Sequence, residues 1–449
     1  MKPADSLNPL RMFRKVVPEQ LIRELCLEHG HGVREGIYSA SVVIWLMIWQ
    51  RLQGNVSMAA AVQYLVQGEA VELQSDCRRW TTDTVSACTG GYGQARQRLP
   101  KPIVSKVTER IVSQLRAEMQ EGWAGLKRPI FVIDGSSLQL QHAPELVKAF
   151  PPGHNQHGEN HWPVMRLVVF HDVFSGLALA PNYGPFYGDA AVSEQSSAEA
   201  ALERLPPEAV VLADGNFGIF AFAHAVRQSG RPMIPRLTEA RGKKILGGPL
   251  REIDQQVVRR SSRWDRAAHP QLPEEAEVKG RLIVRRNPSR PGELLILFTS
   301  LELPAKEIVE ICRLRWNVET DLRSLKRTLD LNQLSSRSAD MVEKELLLAV
   351  AAYNLVRAVM CLAAQRARIT PRQLSFAFVQ AVVDAALPGL DRATTDEEYE
   401  RRLERMLRYA AQGRHPRRSR TRTYSREVWG KGGQFPRRKN VAENPQTTK

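Results

Sequence analysis

Two apolar runs in this chain end in the same way, on an aspartate followed by a glycine. Residues 129–133 lead to Asp134, and residues 209–213 lead to Asp214. Their length and their β-branched residues predict buried strands. A buried strand that carries an acid at its carboxyl end is how an open α/β sheet presents a side chain to the crevice beyond its strands. Asp-Gly after a strand is also an ordinary turn, so the repetition is what favours an α/β fold with a site at one edge.

The surrounding residues alternate between strand and helix patterns, which is typical of an α/β sheet. Strands are predicted at residues 130–134, 164–170, 177–181, 210–213 and 233–237, and helices at residues 193–205 and 217–229. Residues 241–300 predict a β-rich insertion, because they contain alternating pieces that begin at Gln255, Leu282 and Leu294.

A basic helical run follows the insertion, at residues 311–326, and carries Arg315, Glu319 and Lys326 at spacings of four and seven. These spacings place the three side chains on one helical face. One carboxylate between two long cations suits a site in which the acid holds a metal and the cations hold phosphate. For an isolated helix, a solvated face with Arg-Glu pairs worth about 0.2–0.5 kcal/mol would be the better interpretation. The two strand-end aspartates favour the site.

The charge balance agrees with a polyanionic partner. Sixty-four Lys and Arg against 48 Asp and Glu leave a formal charge of +16. Such a balance favours nucleic acid or an anionic membrane surface, and binding to nucleic acid should weaken steeply with salt.

The remaining composition argues against a membrane or a secreted protein. The five cysteines are scattered without a CxxC pair, which suggests reduced thiols in a cytoplasmic protein and no structural zinc. The first residues lack the apolar stretch of a secretory signal. Residues 346–364 are long enough to span a bilayer, but Asn354 and Arg357 interrupt them, so we expect a buried helix.

At these residues the chain resembles the DDE transposases of bacterial insertion sequences, which have a ribonuclease-H-like catalytic core. The branch that it resembles carries a helical signature of Tyr, two residues, Arg, three residues, Glu, six residues and Lys. Here that register reads Cys312, Arg315, Glu319 and Lys326. Further matching segments are residues 155–158, 166–170, 175–178 and 213–217, so the resemblance covers most of residues 129–364.

The resemblance implies a site and a cofactor. Asp134, Asp214 and Glu319 would be the catalytic acids and the ligands of two Mg²⁺ ions, with Mn²⁺ expected to substitute. Arg315 and Lys326 would hold DNA phosphates. Arg323 lies near the same face and would add a phosphate contact, with plain exposure to solvent as the alternative. Cys312 departs from the family's Tyr and would lose an aromatic hydroxyl contact to DNA, which weakly puts activity in doubt.

The resemblance also implies a domain organisation and partners. Residues 1–125 would form a helical domain that binds the terminal repeats of the element, or helices that only pack on the core. Residues 126–338 would form the ribonuclease-H-like core with the insertion, and residues 339–412 a helical region. The partners would be the element ends and target DNA, with a homodimer in the synaptic complex, in the bacterial cytoplasm.

Residues 413–449 form a basic tail whose Gly and Pro content predicts disorder in the absence of DNA. Tyr424, Trp429 and Phe435 lie among its cations and offer stacking surfaces for nucleic acid. A tail that only aids solubility is the alternative.

Trp264 lies between Arg263 and Arg266 in the insertion and is a candidate for stacking against an extruded base, a contact worth about 1–3 kcal/mol. The more common role for such a residue would be to cover a small core of the insertion.

The expected activity is Mg²⁺-dependent cleavage of DNA at the element ends, followed by strand transfer. Two alternatives stay open: a ribonuclease-H-like nuclease or resolvase that cuts without joining, and an inactive DNA-binding protein derived from a transposase. The three acids speak against the second alternative, and Cys312 speaks for it.

Overall fold

A computed structural model of the chain describes residues 9–32, 36–70, 73, 78–82, 84–119, 126, 128–156, 158–287, 292–328 and 334–415. The basic tail predicted from residue 413 onward lies outside the described residues after His415, so the predictions made for it stay predictions.

The N-terminal region is helical. Its helices are α1 (Pro9–Val16), α2 (Glu19–Glu28), α3 (Ala40–Leu52), α4 (Met58–Val66), α5 (Arg78–Thr81), α6 (Gly90–Arg98) and α7 (Lys101–Glu118). Ser39 and Ser57 begin α3 and α4 as N-caps, because their hydroxyl oxygens accept the backbone N–H groups of Val42 and Ala60. Helix α3 is buried along almost its whole length.

A five-stranded sheet lies at the centre of the α/β region, with a separate two-stranded ribbon beside it. In chain order the strands are β1 (Ile130–Gln139), β2 (His154–Asn155), β3 (Gly158–Glu159), β4 (Val164–Asp172), β5 (Asn182–Pro185), β6 (Val210–Ala213) and β7 (Met233–Pro235). The order across the sheet is β5-β4-β1-β6-β7, and β2 pairs with β3. Strands β5, β4 and β1 are antiparallel neighbours, whereas β6 and β7 run parallel to β1. The mixed α/β prediction is therefore confirmed.

The strand predicted at residues 177–181 is wrong. This segment makes a single bridge, between His171 and Ala178, and the strand lies at Asn182–Pro185. The side chain of Asn354 accepts from the backbone N–H of Ala178 and donates to its carbonyl, both at 2.8 Å. The Asn354 side chain therefore makes the backbone hydrogen bonds that a neighbouring strand would otherwise make. The apolar residues of this segment are buried although the segment is not a strand.

The remaining helices flank the sheets and complete the C-terminal region. They are α8 (Pro144–Ala149), α9 (Glu194–Ala201), α10 (Phe220–Gln228), α11 (Glu239–Leu246), α12 (Arg263–Ala268), α13 (Ala305–Arg313), α14 (Asn317–Arg323), α15 (Ala339–Arg366), α16 (Phe376–Asp391) and α17 (Asp396–Ala410). The run predicted as one helix at residues 311–326 consists of the end of α13, a 3₁₀ turn (Leu314–Trp316), α14 and a π-helical turn (Ser324–Thr328).

The insertion contains a three-stranded antiparallel sheet and two helices. Its strands are β8 (Ile253–Arg260), β9 (Glu277–Arg286) and β10 (Leu294–Thr299), in the order β10-β9-β8. A bridge between Arg236 and Leu297 joins β10 to the end of β7, so the insertion packs directly against the edge of the central sheet.

The N-terminal helices pack against α15. Arg51 and Arg96 pair with the buried carboxylate of Glu345 at 3.1 and 2.7 Å, and the hydroxyl of Thr108 donates to the carbonyl of Leu347. The described residues up to Arg414 belong to one compact unit, so the domain boundaries predicted at residues 125 and 338 lie inside it. Helix α15 is long and apolar enough to cross a membrane, but 89% of its most apolar window is buried in the protein.

Candidate active site

The parallel pairing of β1 with β6 brings Asp134 and Asp214 to the same level of the sheet. Ile130 pairs with Val210 and Val132 with Leu212, and the same register continued by two residues places Asp134 beside Asp214. Neighbouring strands are about 4.8 Å apart. The two aspartates singled out from the sequence therefore lie side by side. Asp214 follows the end of β6, whereas Asp134 lies within β1, which continues to Gln139 instead of ending at residue 134 as predicted.

Backbone N–H groups hold each of the two carboxylates. Asp134 Oδ1 accepts from Gly135 N at 2.9 Å. Asp214 Oδ1 accepts from Asn216 N at 2.8 Å and from Phe217 N at 3.4 Å. Such short-range bonds fix the direction of an aspartate side chain.

Asp134 is electrostatically unfavourable in its ionised form. Its pKa is raised to about 6, mainly by burial and to a smaller extent by the nearby carboxylates of Asp214 and Glu194, while the Gly135 N–H and the Arg315 guanidinium act in the opposite direction. Crowded carboxylates repel one another unless a cation joins them. The group of acids is therefore suited to a cation.

Glu194 is a member of this group that the sequence analysis missed. It lies in the first turn of α9, its side chain accepts from the amide of Asn216, and burial and then Asp214 raise its pKa. A Cβ at residue 135 would overlap its carboxylate, which explains the glycine there. An acid after the N-cap Ser193 is an ordinary helix start, so only the spatial proximity reveals it.

Glu319 lies on α14 beside Arg315. Its Oε1 is 3.8 Å from Arg315 Nη2, and the side chains are 48% and 12% exposed respectively. The Arg315 guanidinium also lies over the Trp316 ring, 4.8 Å from its centroid, and acts on Asp134. Arg315 thus connects the acid on the helix to the acids on the strands.

Lys326 lies on the π-helical turn and reaches β1. Its Nζ donates to Ser136 Oγ at 3.0 Å and to the carbonyl of Ser137 at 2.7 Å. The structure therefore places this cation two to three residues beyond Asp134 on the same strand. Arg323 is exposed on α14.

The part of the chain that the structure describes contains no group of three or more His, Cys, Asp or Glu side chains already arranged around one metal position. Asp134 and Asp214 are neighbours, whereas Glu319 faces Arg315.

Cys312 is buried near the end of α13, and its burial raises the pKa of the thiol to about 11. The thiol is therefore neutral at physiological pH and inert as a ligand or nucleophile.

Trp264 is 79% exposed on α12. The helix has no buried residue, and a capping box between Ser262 and Asp265 begins it. The expectation that Trp264 covers a core of the insertion is wrong, because the indole projects into solvent. It remains available for contact with another molecule.

The strands that carry the two aspartates and the helix that carries Glu319 all lie within residues 125–355, the segment that matches the family model described as Transposase DDE domain. This match covers half of the chain, and the chain belongs to the DDE transposase family. It is also similar to the transposase InsG for insertion sequence element IS4 from Escherichia coli (strain K12), with 29% identity over 295 residues. That alignment covers 63% of this chain and 64% of the relative.

Proposed function

We propose that this chain is a DNA transposase that binds the ends of an insertion sequence, cleaves DNA there with a divalent metal and transfers the freed strands to target DNA. One observation carries the proposal. Asp134 and Asp214 lie level on adjacent parallel strands, and Arg315, which pairs with Glu319, also acts on Asp134.

The sheet supports a ribonuclease-H-like core. Antiparallel β5, β4 and β1 are followed by β6 and β7, which run parallel to β1. Asp214 follows the carboxyl end of β6 and Asp134 lies beside it on β1, which is the kind of position where open α/β sheets bind their ligands.

Of the three proposed Mg²⁺ ligands, two already lie next to each other. Mg²⁺ prefers oxygen ligands and is commonly held by one or two carboxylates together with substrate phosphates. Asp134 and Asp214 match that requirement. The pKa of Asp134 is raised first by burial and then by the carboxylates of Asp214 and Glu194, and a bound cation would favour the ionised form against both effects. Glu319 would complete the set after it separates from Arg315. Bound divalent ions, Mg²⁺ or Mn²⁺, would stabilise charge on the scissile phosphate.

The cations of the site would position the strand. Lys326 next to β1 and the exposed Arg323 would bind backbone phosphates, and Arg315 would exchange Glu319 for a phosphate when DNA enters. Contacts of this kind fix the register of the DNA without reading its sequence.

The wider surface supports binding of element ends in the bacterial cytoplasm. A formal charge of +16 favours DNA, and the exposed indole of Trp264 would stack against a base extruded at the cut end. The N-terminal helices would contact the terminal repeats while they pack on α15. Two ends held together would require a homodimer.

The proposal is tested with a labelled DNA fragment that carries the ends flanking the chain's own gene, incubated with Mg²⁺ and either wild type or Glu319→Gln. Wild type should produce both cut and joined DNA, whereas Glu319→Gln should bind the ends and do neither. Glu310→Gln, on the preceding helix, is the matched control and should behave as wild type.

Two results would contradict the proposal. Cut DNA without joined products would indicate a nuclease or resolvase. Binding without cleavage in Mg²⁺ or Mn²⁺ would indicate an inactive DNA-binding relative, the alternative that the departure of Cys312 from the family's Tyr favours.

A further inference from the structure

The loop that follows Asp214 is held by two arginines of the insertion. Arg241 Nη1, from α11, donates to the carbonyl of Gly215. Arg259 Nη2, from β8, donates to the carbonyl of Gly218 at 3.0 Å. Two guanidinium groups thus contact the six-residue loop, residues 214–219, that connects β6 to α10.

Arg259 is a buried anchor. It is 7% exposed, and its guanidinium lies 5.2 Å from the ring centroid of Phe298 and 5.9 Å from that of Phe220. Burial lowers its pKa to about 10, so it stays charged at neutral pH. Its Nη1 is buried without a hydrogen-bond partner among the described residues, so the bond from Nη2 to Gly218 is needed to offset the cost of burying the charge.

Arg241 lies between the aspartate and the exposed end of the insertion. Burial lowers the pKa of its guanidinium, while Asp265 and then Asp214 raise it. Asp265 also caps α12, the helix of Trp264. The guanidinium is therefore close to the carboxylate at the strand end and to the helix that carries the exposed indole.

The other side of the loop has no room to move. A Cβ at Gly218 would approach the carbonyl of Arg236 to 2.6 Å, so the backbone is packed directly on the residue that follows β7. With its carbonyls bound by Arg241 and Arg259, the loop points the N–H groups of Asn216 and Phe217 toward Asp214.

We propose that Arg241 and Arg259 are positioning residues for Asp214, so that the insertion, besides presenting Trp264, holds the second acid of the site in its ligand geometry. Neither arginine contacts the reacting atoms. The role of Asp214 as a metal ligand rests on the proposed function, whereas the control of the loop does not.

Hydrogen exchange of the metal-free protein tests the control of the loop. Arg241→Gln should speed exchange of the amides of Asn216 and Phe217 by about tenfold, the equivalent of one lost hydrogen bond. Arg241→Lys keeps a charged donor and should restore part of the protection. Lys243→Gln, on the same helix and paired only with the exposed Glu239, should leave the loop unchanged.

Mn²⁺ binding, followed by electron paramagnetic resonance, tests the consequence for the site. Loss of a group that orients a ligand costs about 10- to 100-fold in metal affinity. We expect Arg241→Gln to weaken Mn²⁺ binding by about tenfold, with partial recovery in Arg241→Lys and none of the loss in Lys243→Gln. If Arg241 only stabilised the fold, the Mn²⁺ affinities of the three variants would not rank in this order.

Arg259 is tested with Arg259→Met, which keeps an apolar chain between the two phenylalanines. The variant should expose the same amides to exchange. If it does not fold, the Arg241 variants decide the matter alone.

The outcomes separate the two proposals. Unchanged exchange and unchanged Mn²⁺ affinity in Arg241→Gln would overturn the positioning role even if wild type cleaves DNA. Suppose instead that Arg241→Gln exchanges faster and that wild type neither binds Mn²⁺ nor cuts DNA. The control of the loop by Arg241 would then be supported and the proposed transposase site would be rejected.

Discussion

The guanidinium of Arg315 lies 3.8 Å from the carboxylate of Glu319 and also acts on Asp134. One cation therefore neutralises part of a site that otherwise consists of acids. The Glu319 side chain is about half-exposed, so its ion pair with Arg315 is weak and would break when a divalent cation competes for the carboxylate. Under the proposed function, Arg315 would release Glu319 when a divalent metal binds.

Arg315→Gln should raise the pKa of Asp134 above its present value of about 6, because the guanidinium favours the ionised carboxylate. A higher pKa means that protons compete with Mn²⁺ up to a higher pH. The midpoint of Mn²⁺ binding against pH should therefore move upward, and a titration across the range from about 5 to 8 measures it. A midpoint that stays in place would show that Arg315 does not act on Asp134.

Glu194→Gln should have the opposite effect. Its carboxylate raises the pKa of Asp134, so its removal should lower the pH midpoint of Mn²⁺ binding. Glu203→Gln, an exposed glutamate just after α9, is the control and should leave the midpoint unchanged. An upward shift in Glu194→Gln would mean that Glu194 is itself a metal ligand.

Asp134→Asn should stabilise the protein at neutral pH. The pKa of Asp134 in the fold is about 6, above its ordinary value of about 3.9, so the ionised side chain costs stability as pH rises from the ordinary value through the folded one. The amide removes that cost. We expect a Tm higher by about 1–3 °C near neutral pH and no difference below about pH 4. A lower Tm at neutral pH would contradict the crowding of acids.

Asp321→Asn should destabilise the protein strongly. Asp321 is fully buried, pairs with Arg357 and Arg372 and anchors α14 to α15 only two residues from Glu319. Breaking a buried ion pair from one side costs about 3–5 kcal/mol. Urea unfolding should show this loss, whereas Asp396→Asn, at a 93% exposed carboxylate, should change stability by less than about 0.5 kcal/mol.

Trp264→Ala should leave stability unchanged, because the side chain is 79% exposed, and should weaken binding of a DNA end with an unpaired terminal base by about 1–3 kcal/mol. Fluorescence anisotropy measures the affinity, with Trp162→Ala as a control at another exposed tryptophan. Equal affinity and equal cleavage in Trp264→Ala and wild type would remove the stacking role.

The sequence was sufficient for the features that depend on local pattern. The runs before Asp134 and Asp214 have the length and β-branching of buried strands, and the repeated Asp-Gly pattern identified two acids that lie side by side. The predicted end of the first strand at residue 134 is wrong, because residues 134–139 continue to pair with β4. The same reasoning failed at residues 177–181, because apolar residues covered by a helix give the same pattern as a strand. There Asn354 supplies the hydrogen bonds that a neighbouring strand would have made.

Features that depend on tertiary contact could not be read from the sequence. Glu194 lies sixty residues from Asp134 in an ordinary helix start, and Arg241 and Arg259 are two arginines among many in a basic chain. These residues lie near the site only because α9 and the insertion pack around Asp134 and Asp214. The catalytic roles of all the site residues stay predictions.

Iron-directed cleavage of the protein backbone tests the central claim most directly, namely that Asp134 and Asp214 hold a divalent ion together. Fe²⁺ bound in the site, with ascorbate and peroxide, generates radicals that cut the nearest peptide bonds. The account predicts fragments that end close to both residues 134 and 214, suppressed by excess Mg²⁺ and lost in Asp134→Asn and Asp214→Asn. Cleavage elsewhere, or at one of the two positions without the other, would contradict it.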